Sequence, residues 1–332
     1  MRGKQNMNKL LIICGPTATG KTSLGISLAK KFNGEIISVD SRQVYRGMDI
    51  GTGKDIPPNS KLEILDSELG GVYRVDDIPI WGYDLADPKE EFSVSNYLTF
   101  ANAAIDAIIK KGKLPILVGG TGFYIKALID GIPTIDVPIN KELRNNLLNR
   151  TADDLYELLS TVDSLKAGSM NFSDKKNPRR LIRAIEVAQY LLDHQLSIDR
   201  SIDTNKVDNL FIGLTAKKEI IEKRINKRVE SRIDSGFEDE VKNLISSGVD
   251  WTDQSMMSLG YRQWRDFFEG AVPKEDVVLE WKKEERKYAG RQMVWWKKDS
   301  RINWFDVDDI SYKEKVESMI EKWHNTKDAK ED

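Results

Sequence analysis

A chain of 332 residues, 40% hydrophobic and 31% charged, has the composition of an ordinary folded protein, which excludes a disordered or fibrous one and allows roughly two domains. A net charge of -2 excludes a uniformly basic nucleic-acid binder, and a single cysteine, Cys14, excludes an internal disulfide or a cysteine-built zinc site. The apolar run Leu10 to Cys14 is far shorter than a membrane span and the opening residues lack the apolar stretch of a signal peptide, so the expected location is cytoplasmic, with no membrane attachment.

The first predicted element is a buried strand, LLIICG (10–15), followed after a glycine-rich turn by a helix whose Leu24, Leu28 and Phe32 recur at helical spacing. A second strand, EIISVDS (35–41), completes a βαβ unit. The stretch 54–82 is rich in turn residues and fits no element clearly. LPILVGG (114–120) and LFIGLTA (210–216) are two further buried strands. Between them, from Asp136 to Asn205, leucines at helical spacing in charged sequence predict a helical insertion flanked by the turn-rich DGIPTIDVP and SIDRSIDTNK. After residue 217 the chain is again mostly helical, and it ends in a charged tail, KDAKED, expected to fray. The expected limits are 8–135 for the first part of a core domain, 136–205 for the insertion, 206–310 for the second part of the core with C-terminal helices, and 311–332 for a terminal helix and tail.

Parallel strands joined by helical crossovers bring their carboxyl ends to one edge. A site is therefore expected where Gly15–Thr22, Asp40–Tyr45, Gly119–Tyr124 and the start of the helix after Ala216 converge. Gly15, Pro16, Thr17, Ala18, Thr19, Gly20, Lys21 and Thr22 complete the phosphate-loop pattern G-x-x-x-x-G-K-[ST], in which backbone N–H groups and a helix N-terminus surround phosphate oxygens and Thr22 can ligate Mg²⁺. The fold class is accordingly α/β, a P-loop NTPase-like doubly wound parallel sheet with a helical insertion domain and a helical C-terminal region. Asp40, at the tip of the second strand, fits a Mg²⁺ ligand, a general base or the N-cap of a following helix. Ser38, Ser41 and Gln43 beside it offer neutral donors and acceptors suited to a base edge or a hydroxyl, and GGTGFY after the third strand is a second glycine-rich turn.

Three basic groups remain open between a structural and a binding role. Arg224, Arg228 and Arg232 follow each other at helical spacing beside an apolar row, either as a salt-bridged face or as an anion site. In NPRRLIRAIE, Asn177 reads as N-cap and Pro178 as the first helical residue, which places Arg179, Arg180 and Arg183 where arginine opposes the helix dipole and an external anion is favoured. The segment 281–301 carries eight Lys/Arg against three acids, interleaved with Trp281, Tyr288, Trp295 and Trp296, either as a helix with core tryptophans or as an RNA-contacting face.

Taken together, GPTATGKT, SVDSRQVYRGMDIGTGK, LPILVGGTGFYIKAL, NPRRLIRAIE, RINKRVESRIDSGFEDEVKNL, SLGYRQW and RKYAGRQMVWWKK, in this order over about residues 10 to 305, resemble the bacterial tRNA dimethylallyltransferase (tRNA isopentenyltransferase) family. The resemblance implies that Gly15 to Thr22 hold the diphosphate of dimethylallyl diphosphate together with Mg²⁺ and Arg224, and that the nucleophile is N6 of adenosine 37 beside the anticodon, in tRNAs reading codons that begin with U. It implies catalytic roles for Asp40, Thr17 and Lys21. It also implies contact with the tRNA anticodon stem-loop at Asp40, Ser41, Arg42, Gln43, Thr121, Asn177, Pro178, Arg179, Arg180, Gly260, Tyr261, Arg262, Arg291, Gln292 and Trp295. The default expectation for the oligomeric state is a monomer. The chain departs from the family pattern where IPIWGYDLADP stands in place of a Pro-His-His-type segment, and at Gly290 and Lys297. Other readings are a P-loop small-metabolite kinase, which leaves Gln43–Tyr45 and GYRQW without a role, an adenylate isopentenyltransferase, which does not need the RNA-contact segments, and an RNA-binding module with a vestigial phosphate loop, against which the intact Lys21, Thr22 and Asp40 speak.

Overall fold

A computed structural model describes residues 8–54, 56, 62–66, 70–196 and 207–326. In chain order the elements are β1 (Asn8–Cys14), α1 (Lys21–Lys31), β2 (Gly34–Val39), β3 (Glu63–Asp66), β4 (Gly70–Val75), β5 (Ile78–Trp81), α2 (Val94–Lys110), β6 (Leu114–Gly119), α3 (Gly122–Asp130), α4 (Lys141–Leu147), α5 (Ala152–Val162), α6 (Ser164–Ser169), α7 (Phe172–Lys175), α8 (Pro178–Asp193), β7 (Val207–Thr215), α9 (Lys218–Asp234), α10 (Phe237–Ser246), α11 (Tyr261–Phe268), α12 (Lys274–Trp296), β8 (Ile302–Asp306) and α13 (Tyr312–Asn325). The turn-rich segment 197–206 and the tail 327–332 lie outside the described residues.

The strands form one sheet in the order β3-β4-β5-β2-β6-β1-β7-β8. From β5 to β8 all neighbours run parallel, and β4 and β3 extend the β5 edge as an antiparallel meander. Alternation along β1 explains why helices cover both faces. Leu10, Ile12 and Cys14 pack with α2 and α3, through Tyr97, Ala101, Ile105 and Ile125, whereas Leu11 and Ile13 pack with Leu24 and Leu28 of α1 and Val316 and Ile320 of α13. A third cluster joins Val44, Tyr45 and Met48 to Phe237, Tyr261, Trp264 and Trp281 of the C-terminal helices.

The four expected strands are β1, β2, β6 and β7; β3, β4, β5 and β8 were not anticipated. β5 is only IPIW, too short for a periodic signal, and β8 (INWFD) follows a long helix within sequence read as helical. Part of the unplaced stretch 54–82 is thus the sheet's antiparallel extension.

Residues Asp130–Asp203 form a separate compact unit. Its core is Leu147, Leu155, Leu159, Leu181 and Ile185, drawn from α4, α5 and α8. The Asn177 side chain caps α8 by accepting the Arg180 N–H at 3.3 Å, with Pro178 in the first turn, as the sequence dictates. Arg179 and Arg180 are exposed, Arg180 pairing with Asp174. Arg183 departs from expectation. Its guanidinium donates to Glu186 at 2.5 Å and to the carbonyls of Thr134 and Val137 at 2.9 Å each, so it braces the unit rather than awaiting an anion.

Candidate active site

The carboxyl ends of β1, β2 and β6, joined by α9, α12 and the segment 257–262, line one cleft of about 1140 Å³. Its floor is the loop between β1 and α1. Gly15 takes φ +126°, and a Cβ there would lie 2.3 Å from the Leu214 carbonyl oxygen on β7, so any side chain would separate two paired strands. Thr19 Oγ1 and Lys21 Nζ both donate to the Pro16 carbonyl, at 2.9 and 2.8 Å, which folds the loop over itself. Burial, and next the Arg228 guanidinium, pull the Lys21 ammonium down to about 8. An anion placed in this loop would reverse that penalty.

Asp40 follows the last residue of β2. Its Oδ1 accepts the Arg42 N–H at 2.8 Å, an Asx turn that leads into turn structure rather than a helix, so Asp40 does not cap a following helix. Burial raises the Asp40 carboxyl above its usual value, against the opposing pull of the Arg42 N–H and guanidinium and of Lys21. Thr121, after β6, ties the two strand ends together: its Oγ1 accepts the Ser41 N–H at 3.2 Å and its own N–H donates to Val39 at 3.3 Å. Ser38 donates to Gln43 at 2.7 Å, and the Gln43 amide donates to Gly53 at 2.9 Å. Arg42 turns toward the Gln254 carbonyl at 2.8 Å.

The arginine row on α9 reaches the same loop. Arg224 approaches the Ala18 carbonyl at 3.4 Å and Asp308 at 3.9 Å. Arg228 donates to Thr17 Oγ1 at 2.7 Å and to Glu285 at 3.0 Å, and Arg232 donates to the other oxygen of Glu285 at 3.1 Å. The family resemblance implies Arg224 of the three; the geometry adds Arg228, which makes the shorter contact with the loop. Glu285 was not foreseen, because its partners stand more than fifty residues away in sequence. One helical turn spacing separated the three arginines, and that was the only signal available.

From α12, Gln292 accepts the Thr17 N–H at 2.8 Å and donates to the Gly120 carbonyl at 3.0 Å, bridging the first glycine-rich turn to the second. A Cβ on Gly120 would lie 2.2 Å from the Gln292 amide nitrogen, so the bridge requires glycine there. Expected at RNA, Gln292 is buried and its amide is engaged inside the protein. Tyr261, also expected at RNA, is fully buried; its hydroxyl donates to Glu240 at 2.5 Å and its ring packs on Phe237. Gly260 is buried as well, against Trp281. Trp281 and Trp296 are core residues, whereas Trp295 is 40% exposed and packs on Gly122. Arg262 and Arg291 line the cleft, Arg262 paired with Glu284 at 2.9 Å.

A loop from Asp49 to Lys54 forms another wall. Glu240 accepts the N–H groups of Asp49, Ile50 and Gly51 at 2.8, 2.7 and 3.0 Å. The buried Lys54 ammonium pairs with Asp49 and Asp84 and donates to the Tyr45 carbonyl at 2.7 Å. In the departing segment, Asp84 therefore serves as a structural counter-ion for Lys54 and accepts the Tyr73 hydroxyl at 2.5 Å. No group of three or more His, Cys, Asp or Glu able to cage a metal occurs among the described residues. The Thr22 hydroxyl lines the cleft, a hard-oxygen donor that fits Mg²⁺, which keeps waters and takes phosphate oxygens rather than an all-protein cage.

A mostly parallel, doubly wound sheet with a lysine-bearing glycine loop after its first strand and a carboxylate across the cleft defines the P-loop class of fold. Which P-loop protein follows from its relatives. An IPP transferase family profile matches residues 43–299, and an isopentenyl transferase profile matches residues 8–67. A tRNA dimethylallyltransferase of Anoxybacillus flavithermus is 37% identical over 314 residues, covering 94% of this chain and 95% of the relative. The crystal structure of the full-length tRNA isopentenylpyrophosphate transferase from Bacillus halodurans superposes with a TM-score of 0.67 at 33% identity, covering 96% of each chain. A eukaryotic dimethylallyltransferase acting on tRNA shares the fold, with a TM-score of 0.74 at 24% identity over 98% of this chain and 81% of that one. The chain belongs to the IPP transferase family. Among the described residues no helix is long and apolar enough to cross a membrane.

Proposed function

We propose that this enzyme transfers the dimethylallyl group of dimethylallyl diphosphate to N6 of adenosine 37, next to the anticodon, in tRNAs that read codons beginning with U. The products are N6-dimethylallyladenosine in tRNA and diphosphate. The observation that carries this reading is the pairing, in one cleft, of a phosphate loop with a carboxylate raised above its usual value, within a chain of this family.

The diphosphate sits on the N–H groups of residues 15–22 and the N-terminus of α1, with Lys21, Arg224 and Arg228 facing it. As the C1–O bond breaks, its electron pair leaves with the diphosphate, and these cations and dipoles stabilise the growing negative charge. N6 of the flipped-out adenine forms the new bond to C1 and gives its proton to Asp40, which a raised basicity favours. Thr17 keeps its hydroxyl at the reacting end through Arg228. Mg²⁺, when bound, supplies further charge neutralisation at the diphosphate, with the Thr22 hydroxyl as its protein ligand. Arg42, Thr121, Arg262, Arg291 and the exposed Trp295 are the tRNA-facing residues of the core, and Asn177 to Arg180 those of the insertion. Tyr261 and Gln292 support that surface from beneath. The enzyme is taken to act as a monomer in the cytoplasm.

The test is nucleoside mass spectrometry after incubation with Mg²⁺ and unmodified tRNA bearing A36-A37-A38, with parallel arms that replace the prenyl donor by ATP and the tRNA by AMP. N6-prenyladenosine is expected only with tRNA and dimethylallyl diphosphate together. ATP consumption, or prenylated AMP with blank tRNA, would replace this reading by a kinase or a nucleotide-prenylating enzyme.

A further inference from the structure

The five-carbon group that crosses from donor to acceptor needs an apolar wall, yet most residues lining the cleft are charged or hydroxylated. Among the described lining residues the larger apolar or aromatic side chains are Ile50, Ile56, Val118, Met257, Leu259 and Tyr288. Tyr288 differs from the others in where it stands. It stands on α12 three residues after Glu285 and four before Gln292, on the face of the helix that meets the phosphate loop. One turn further along that face stands Gln292, whose side chain accepts the Thr17 N–H at 2.8 Å. Burial, and next the nearby Asp40 carboxylate, hold the Tyr288 hydroxyl above the usual tyrosine range. The Arg291 guanidinium lies 5.8 Å from the ring centroid. Tyr288 thus lines the same cleft as the loop that holds the leaving group and the carboxylate that takes the proton. A transferred carbon must pass between those two.

We infer that the Tyr288 ring is the wall against which the prenyl group packs, and that it limits the accepted donor to five carbons. This rests on the prenyl-donor reading of the cleft. Wild type, Tyr288→Ala and Tyr288→Phe are compared with dimethylallyl diphosphate and with ten-carbon geranyl diphosphate on unmodified tRNA. Calorimetry adds the affinities for inorganic diphosphate and for unreactive dimethylallyl thiolodiphosphate. In Tyr288→Ala the kcat/KM ratio of geranyl to dimethylallyl donor is expected to rise at least about tenfold, the scale on which apolar pockets discriminate chain size. Thiolodiphosphate binding weakens in the same variant while inorganic diphosphate binding holds. Tyr288→Phe, which keeps the ring, keeps the preference for the short donor. Should Tyr288→Ala not fold, Tyr288→Leu carries the same comparison with a smaller rise. An unchanged donor ratio, or a raised KM for tRNA in its place, overturns the assignment. Wild-type protein inert toward dimethylallyl diphosphate would instead remove the donor reading itself.

Discussion

Glu186 in the insertion and Glu285 on α12 are both buried carboxylates that hold two arginines, yet they end in different places. Glu186 takes Arg144 through two bonds of 2.8 and 2.9 Å, Arg183 at 2.5 Å and the Asn140 N–H at 2.7 Å, and all of these donors belong to the insertion. Burial works to raise its carboxyl, but the Arg144 and Arg183 bonds prevail and hold it below the usual value. Glu285 takes Arg228 and Arg232, and Arg228 reaches past it to Thr17 in the phosphate loop. The chemistry of the two nodes is alike; one closes on itself within the insertion, the other opens onto a cleft and reaches the glycine-rich loop. A buried ion pair is therefore not a functional signal until the remaining donors of its arginines are followed to their ends.

The largest expected effect lies at the open end. Asp40→Asn should lower the prenylation rate by ~10³-fold with the melting temperature nearly unchanged, read by single-turnover kinetics alongside a thermal melt. Arg228→Ala should lower kcat/KM by about 10²-fold, the loss of one preorganised cation at the leaving group, and also lower stability because Glu285 loses a partner. Glu186→Ala should lower stability by about 1–3 kcal/mol, since two partly exposed arginines and the Asn140 N–H lose their acceptor, while the folded fraction keeps its turnover. If Glu186→Ala abolished chemistry in folded protein, the distinction between the nodes would collapse.

The two regions should also part in pH. A carboxyl depressed on folding stabilises above its unfolded value and loses that contribution as pH falls through the folded one, so the Glu186 node weakens below the ordinary 4.5. Lys21 behaves oppositely. Pulled down from 10.5 to about 8, it carries a charge-burial cost that is full below about 8 and is relieved as pH rises toward 10.5. Diphosphate binding needs the charged form, so donor affinity should fall above pH 8, by up to about tenfold per unit, and Lys21→Arg should flatten that fall. Smallest of all, Arg179→Ala should weaken tRNA binding a few-fold and reduce the slope of log affinity against log salt by about 1, as loss of one phosphate contact does.

What could be read from sequence tracks what is local. The phosphate loop is eight consecutive residues between a strand and a helix, and β1, β2, β6 and β7 are apolar runs because both faces of the sheet are covered. Asn177 and Pro178 are legible for the same reason, a cap being decided within four residues. The bond from Arg228 to Thr17 joins residues 211 apart, and the Gln292 bridge to Thr17 joins residues 275 apart, so only the fold brings them together. Family resemblance implies RNA contact at Gly260, Tyr261 and Gln292 but carries no information that all three are buried, because burial depends on the packing of distant helices.

The most direct test of the central claim, that Asp40 opposite the Lys21 loop is the proton acceptor for prenyl transfer to tRNA, is single-turnover prenylation by Asp40→Asn with donor and tRNA affinities measured on the same protein. The expected result is near-wild-type binding of both with a rate ~10³-fold lower. A wild-type rate from Asp40→Asn would contradict it.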